Sequence, residues 1–191
     1  MRLLLVAYPG AGKGTQATKL ATHYKIAHLS SGELLRTEVA SGTKIGTAAA
    51  DYLRRGDLVP DELVFEMLSA PILEAVSTGG YVLDGFPRTL SQAEEAYSVA
   101  QEIKGVELQA VIYLRVGQEE LLGRLRARAD REGRTDDDEV TVAHRFKVFE
   151  TQTEPLLDFY ASRGILLDIN GEQPVEDVFD DITRVVDDLH I

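Results

Sequence analysis

Apolar residues recur along this chain in short blocks separated by longer amphipathic stretches. Arg2 to Val6 is a five-residue apolar run followed by turn residues, which predicts a short buried strand. Lys13 to Tyr24 predicts a helix, and Ile26 to Leu29 a second strand. Gly32 to Val39 and Thr43 to Leu53 predict two helices joined at Ser41-Gly42. Pro60-Asp61 opens another helix, whose course past Pro71 the sequence leaves open because proline removes a backbone donor. Tyr81 to Leu83 predicts a buried strand ending in Asp84, and Ser91 to Ile103 a helix. Ala110 to Leu114 predicts a strand, Gln118 to Arg128 a helix, Asp137 to Ala161 a long helix strained or interrupted near Pro155, and Ile165 to Ile169 the last strand. Val175, Val178, Phe179, Ile182, Val185, Val186 and Leu189 share one helical face at the end.

Short apolar strands alternating with helices predict an α/β fold: a parallel five-stranded sheet with helices on both faces. Ligands of such sheets sit at the carboxyl ends of the strands. At 191 residues the chain is expected to be one domain. Two polar stretches, 30–59 and 129–138, look like excursions from its core.

Composition narrows the classes. The chain is 44% hydrophobic and 27% charged, with no cysteine. A disulfide framework and a cysteine zinc site are therefore excluded, and a reducing cytoplasm suits the chain. No apolar run reaches membrane-spanning length, and Leu3 to Ala7 has no signal-peptide pattern around it. A net charge of −12 argues against a protein that coats nucleic acid. Residues 1–60 nevertheless carry eight basic and four acidic side chains, whereas 61–114 carry two and nine. An acidic protein that binds a polyanion must gather its cations locally. Candidates are Lys13, Arg36, Arg88 and the run Arg124, Arg126, Arg128, Arg131 and Arg134.

The segment Ala7-Tyr8-Pro9-Gly10-Ala11-Gly12-Lys13-Gly14-Thr15 lies between a predicted strand and a predicted helix. Glycines let backbone N–H groups curl round a phosphate, and the helix N-terminus adds its dipole. Lys13 can reach the outer phosphates and Thr15 can donate its hydroxyl. The strict phosphate-loop consensus asks for Gly at 7 and Ser or Thr at 14, so only Gly12 and Lys13 match it.

Other candidates each have a plain structural alternative. Arg88 follows Gly-Phe-Pro and could grip phosphate bidentately, or be a surface arginine. Asp84 could order Mg²⁺, directly or through water, or cap a turn. Arg124 and Arg128 share a helix face, where an anion would relieve their repulsion, or Glu120 would pair with them. Asp136 and Asp137 precede a helix and could simply favour its N-terminus. Arg36 and Gln92 could be solvated helix residues. His23, His28, His144 and His190 sit in no shared motif.

With the loop, three further segments give the chain its resemblance to the adenylate kinase family, in its short-lid form. They are Ser31-Gly32-Glu33-Leu34-Leu35-Arg36, Gly56-Asp57-Leu58-Val59-Pro60, and Leu83-Asp84-Gly85-Phe86-Pro87-Arg88-Thr89 followed by Gln92. The resemblance implies a P-loop nucleoside triphosphate hydrolase-like core with a mobile AMP-binding insertion at 30–59 and a short lid at 129–138. It implies the reaction ATP + AMP = 2 ADP, with Mg²⁺ carried on ATP and no zinc. ATP would lie along Gly10, Ala11, Gly12, Lys13, Gly14, Thr15, Arg124, Arg128 and Gln173. AMP would lie along Ser31, Gly32, Arg36, Leu58, Val59, Gly85, Arg88 and Gln92, with Gln92 reading the adenine edge. Arg128, Arg134 and Arg145 would bind phosphates, and Asp136-Asp137 would hold the lid arginines. The expected enzyme is a cytoplasmic monomer with no membrane or nucleic-acid partner.

Two positions depart from the family pattern. Ala7 stands where glycine is usual, and a left-handed backbone there would cost alanine about 1 kcal/mol. Tyr8 could narrow the nucleotide path or point to solvent. A UMP/CMP kinase of the same fold and a catalytically weakened homologue are the alternatives. A GTP switch built on Asn-Lys-x-Asp is excluded, since the only asparagine is Asn170, followed by Gly171.

Overall fold

The structure is a computed structural model that describes residues 1–132 and 138–189. Five parallel strands form one sheet: β1 (Arg2–Val6), β2 (Ala27–Ser30), β3 (Tyr81–Asp84), β4 (Ala110–Arg115) and β5 (Leu166–Asn170), in the order β2-β3-β1-β4-β5. The helices are α1 (Lys13–Tyr24), α2 (Ser31–Ala40), α3 (Lys44–Arg55), α4 (Asp61–Thr78), α5 (Leu90–Glu102), α6 (Gln118–Glu132), α7 (Glu139–Val148), α8 (Pro155–Ala161) and α9 (Val175–Asp187).

Strand side chains alternate between faces, and β1 feeds two cores. Leu3, Leu5 and Ala7 join residues of α1, α6 and α9, while Leu4 and Val6 join Ala75, Ala93, Leu156 and Tyr160 on the other face. A third, smaller core holds Leu35, Ala49, Val59, Val64, Met67, Leu68 and Phe86, and knits α2, α3 and α4 together. The register places Leu5 beside Asp84 and Ser30 beside Asp84. Three strands therefore end level with one another, and the loops that follow them open on the same edge.

Several predicted bounds change. β2 runs from Ala27 to Ser30, so Ser30 closes a strand and its side chain caps α2 by accepting from the Glu33 N–H. α4 continues through Pro71 to Thr78, because Val64, Met67, Leu68 and Ala75 bury both halves against the core and outweigh one lost hydrogen bond. α6 extends to Glu132, so residues 129–132 of the expected lid stretch continue that helix. The long helix expected over 137–161 is interrupted just before Pro155: two helices are joined by a π-helical turn, Phe149–Thr153. There the Glu154 N–H donates to the Phe149 carbonyl at 2.8 Å, and Pro155 opens α8, where a missing donor is harmless. On α9 the buried stripe is Val178, Ile182 and Val186, while Val175 and Leu189 at its ends are exposed. Among the described residues, no helix is long and apolar enough to cross a membrane.

Candidate active site

β1 hands the chain to a loop that must turn sharply before α1. Gly10 and Gly12 take left-handed angles, φ 90° and 95°, and Gly12 caps α1. A side chain at Gly10 would meet Leu125 Cγ at 2.8 Å, so α6 packs directly on the loop. Ala7 does not share this conformation: Lys25 is the only non-glycine residue with positive φ among those described. Its methyl group sits in the core, 4% exposed, so the expected strain does not arise. Tyr8 is partly buried and turns its ring toward two aromatic side chains. Its ring lies 3.9 Å from that of Phe149 and meets Phe146 edge-on at 5.6 Å. Partial burial and the nearby carboxylates of Glu154 and Glu150 push its hydroxyl up to about 12.

Lys13, the first residue of α1, turns back over the loop. Its Nζ donates to the Ala7 carbonyl at 2.8 Å and approaches that of Tyr8 at 3.4 Å. Desolvation brings the ammonium down to about 8. Asp84 opposes that shift, and Arg88, Arg145 and Arg128 add to it. Five groups from four parts of the chain thus share one field. Asp84 Oδ2 lies 3.7 Å from where a side chain at Gly14 would begin, under the start of α1.

After β3, Gly85 adopts φ 85°, and its carbonyl accepts both Ser31 Oγ and Arg88 Nε at 2.6 Å. A Cβ there would lie 2.8 Å from Ser31 Oγ and from the Arg88 guanidinium. Gln92 is buried, and both ends of its amide are engaged. Its oxygen accepts the Arg88 N–H at 2.7 Å, and its nitrogen donates to Asp61 Oδ1 at 2.6 Å. The side chain expected to read a base edge thus also anchors the turn that carries Arg88. It keeps one further donor and one further acceptor for that purpose.

Arg124 bridges two loops. Its Nη2 donates to the Gly171 carbonyl at 2.9 Å, its Nη1 approaches the Ala11 carbonyl at 3.4 Å, and its Nε pairs with Glu120 at 2.7 Å. The pairing with Glu120 and the position beside the loop coexist. Gln173 donates to the Asn170 carbonyl and to Asp181, each at 2.9 Å. Arg36 folds over Gly32, with its Nη1 3.4 Å from where a Cβ would stand.

These residues meet. A cavity of 720 Å³ is walled by the whole segment from Pro9 to Gln16, by Ser30, Gly32, Arg36, Asp84, Arg88, Arg124, Arg128 and Arg145, and by Gln173. A 90 Å³ recess joins Lys13, Gly56, Leu58, Gly85, Arg88 and Arg145. A 30 Å³ recess adds Ser31, Val59 and Gln92. Arg134, Asp136 and Asp137 lie outside the described residues. A separate cavity of 170 Å³ behind the sheet, walled by apolar side chains of α4, α5 and α8, has no loop for phosphate.

Four residues have a place in this architecture that the sequence did not assign them. Gln16 is buried and ties α1 to α9 through the Val175 carbonyl at 2.9 Å. Asp61 holds Gln92. Asp57 and His144 touch across the cleft. These contacts follow no recognisable spacing, because each partner lies far away in the chain.

Comparison with known proteins agrees with this geometry. The sequence model of the family described as Adenylate kinase matches residues 5–165. A protein named adenylate kinase from Leptospira biflexa is 42% identical over 185 residues, covering 97% of this chain and 99% of that protein. One from Thermobifida fusca is 44% identical, covering 93% and 94%, and one from Trichodesmium erythraeum is 40% identical, covering 99% of both. With a glycine-rich loop at the carboxyl end of the central strand, cations from separate elements around one cavity, and near full-length likeness to such proteins, the chain belongs to the adenylate kinase family.

Proposed function

We propose that this enzyme catalyses ATP + AMP = 2 ADP reversibly, by holding two nucleotides in line and neutralising their charge. What supports the reading most is one cavity bordered by Lys13, Arg36, Arg88, Arg124, Arg128 and Arg145 in a chain of net charge −12. The γ-phosphoryl group passes directly: its bond to a phosphate oxygen of AMP forms as its bond to the bridging oxygen of ADP breaks. No protein nucleophile is needed, and the AMP phosphate, with a second pKa of about 6, needs no general base. The barrier is charge and position, which arginines and backbone N–H groups address.

In this reading Lys13 and the N–H groups of Gly10, Ala11, Gly12, Gly14 and Thr15 take the donor phosphates. Arg124 flanks the ATP base, and Gln173 lies on the same side. Arg36 and Arg88 grip the AMP phosphate, while Ser31, Gly32, Leu58, Val59, Gly85 and Gln92 wall its nucleoside. Arg128 and Arg145 join Lys13 where charge develops, and Arg134, Asp136 and Asp137 act from the lid. In the same reading 30–59, built on α2 and α3, closes over AMP, and 129–138 closes over ATP.

Mg²⁺ suits the donor set. Among the described residues no three His, Cys, Asp or Glu side chains could hold a metal together. Mg²⁺ is bound largely by phosphate oxygens and water and needs few protein carboxylates. Asp84, beneath Gly14, is the side chain that would orient it, and the ion would supply charge neutralisation between the β and γ phosphates. A cytoplasmic, monomeric enzyme completes the proposal; sedimentation at micromolar concentration tests the second part.

A coupled assay with ATP, Mg²⁺ and AMP, CMP, UMP or GMP as acceptor tests the function. ADP should form fastest with AMP. No ADP from ATP and AMP would overturn the reading, and faster turnover of UMP or CMP would move it to the pyrimidine kinases.

A further inference from the structure

The connection from α3 to α4 and the middle of α7 come into contact beside the cavity. Gly56 has φ 75°, and a Cβ there would lie 2.8 Å from Arg145 Cγ and 3.0 Å from Thr141 Cγ2. A residue without a side chain lets the backbone reach α7. Next to it, Asp57 Oδ1 and His144 Nε2 lie 2.6 Å apart, although 87 residues separate them in sequence. The other Asp57 oxygen accepts from Arg55 Nε at 2.8 Å, which aims the carboxylate at α7. Arg55 first and His144 second hold the Asp57 carboxyl below its ordinary value.

Both partners adjoin residues of the cavity wall. Asp57 directly precedes Leu58, and His144 directly precedes Arg145; Leu58 and Arg145 border the same recess as Lys13 and Arg88. We infer that Asp57 and His144 form a latch that positions the 56–59 segment and Arg145 together on the acceptor nucleotide. Neither residue touches the reacting atoms; both are positioning residues. The inference rests on the adenylate kinase reading, since it assigns the latch to the AMP side.

The contact is partly solvated, with side chains 45% and 33% exposed, so its effect should be modest. Asp57→Ala should raise KM for AMP roughly threefold to fivefold, with kcat and KM for ATP within about twofold. His144→Ala should do the same, and the double variant should be no worse than either single one. His144→Lys, which can still donate to the Asp57 carboxylate, should recover most of the loss. Singles that add in the double variant, or an equal rise in both KM values, would overturn the latch.

A second measurement does not depend on turnover. The chain has no cysteine, so Ala48→Cys and Ala143→Cys, on exposed faces of α3 and α7, can carry a spin-label pair alone. With AMP present, the label distance should be short and narrow, and Asp57→Ala should lengthen or broaden it. An unchanged distribution would refute the latch even in an active enzyme. Absence of ADP formation would refute the activity and leave this distance measurement to decide the latch.

Discussion

Lys13 Nζ donates to the carbonyl oxygen of Ala7 at 2.8 Å, so the loop's cation is held against the loop's own backbone. Desolvation, reinforced by Arg88, Arg145 and Arg128, brings its pKa from 10.5 to about 8. Free enzyme should therefore lose this charge as pH rises through 8. Bound polyphosphate favours the ammonium and raises the pKa again. kcat/KM for ATP should fall above about pH 8, while kcat persists to higher pH, as steady-state profiles would read. The linkage to stability has the opposite sign. Below pH 8 the native state bears the full cost of a desolvated charge. Between 8 and 10.5 the unfolded chain holds a proton that the native chain lacks, so this group's contribution to stability rises with pH.

Lys13→Ala should lower kcat by about a hundredfold or more, the scale of losing one donor to developing charge. KM for ATP should change far less, because the backbone N–H groups still hold the phosphates. An unchanged kcat would remove Lys13 from the transition state.

Ala7→Gly should leave turnover unchanged. The backbone at Ala7 is not left-handed, so glycine relieves nothing there, and its flexibility should cost about 0.5–1 kcal/mol of stability. Chemical denaturation measures the loss; a gain in activity would show strain that the backbone angles do not display.

Gln92→Leu strands two partly buried groups at once, the Arg88 N–H and one oxygen of Asp61. A loss of about 1–3 kcal/mol in unfolding free energy is expected. KM for AMP should rise more than KM for ATP, since Arg88 loses its anchor. Equal changes in the two constants would place Gln92 outside the acceptor side.

Tyr8→Ala should destabilise by about 1–3 kcal/mol, through loss of the stack on Phe149 and the edge contact with Phe146. Tyr8→Phe should be close to neutral, because no hydrogen bond from the hydroxyl occurs among the described residues. A large loss in Tyr8→Phe would assign the hydroxyl a role that the packing does not.

Local signals carried most of the elements. Apolar runs bounded by glycine marked the five strands to within a residue or two, and the Gly-Ala-Gly-Lys-Gly-Thr turn marked the start of α1. Prolines left two outcomes open, and they differ: Pro71 leaves α4 intact, while the helix before Pro155 is interrupted by a π-helical turn. Each outcome depends on what the helix packs against, and no local window contains that. Candidate arginines were legible as charges in an acidic chain, but not their company. Asp57 stood inside a motif without a role of its own, and His144 read as a histidine without a motif.

From its own order of residues, this protein has a glycine-rich loop between a strand and a helix, short apolar strands alternating with helices, and cations scattered through an acidic chain. Those follow from short-range physics: backbone freedom at glycine, side-chain periodicity and charge. The fold alone decided that Lys13, Asp84, Arg88, Arg128 and Arg145 share one field, that Tyr8 stacks on Phe149, and that Gln92 holds Arg88 in place. Contacts between residues tens of positions apart depend on strand register and helix packing, and these are settled only when the sheet closes its two cores.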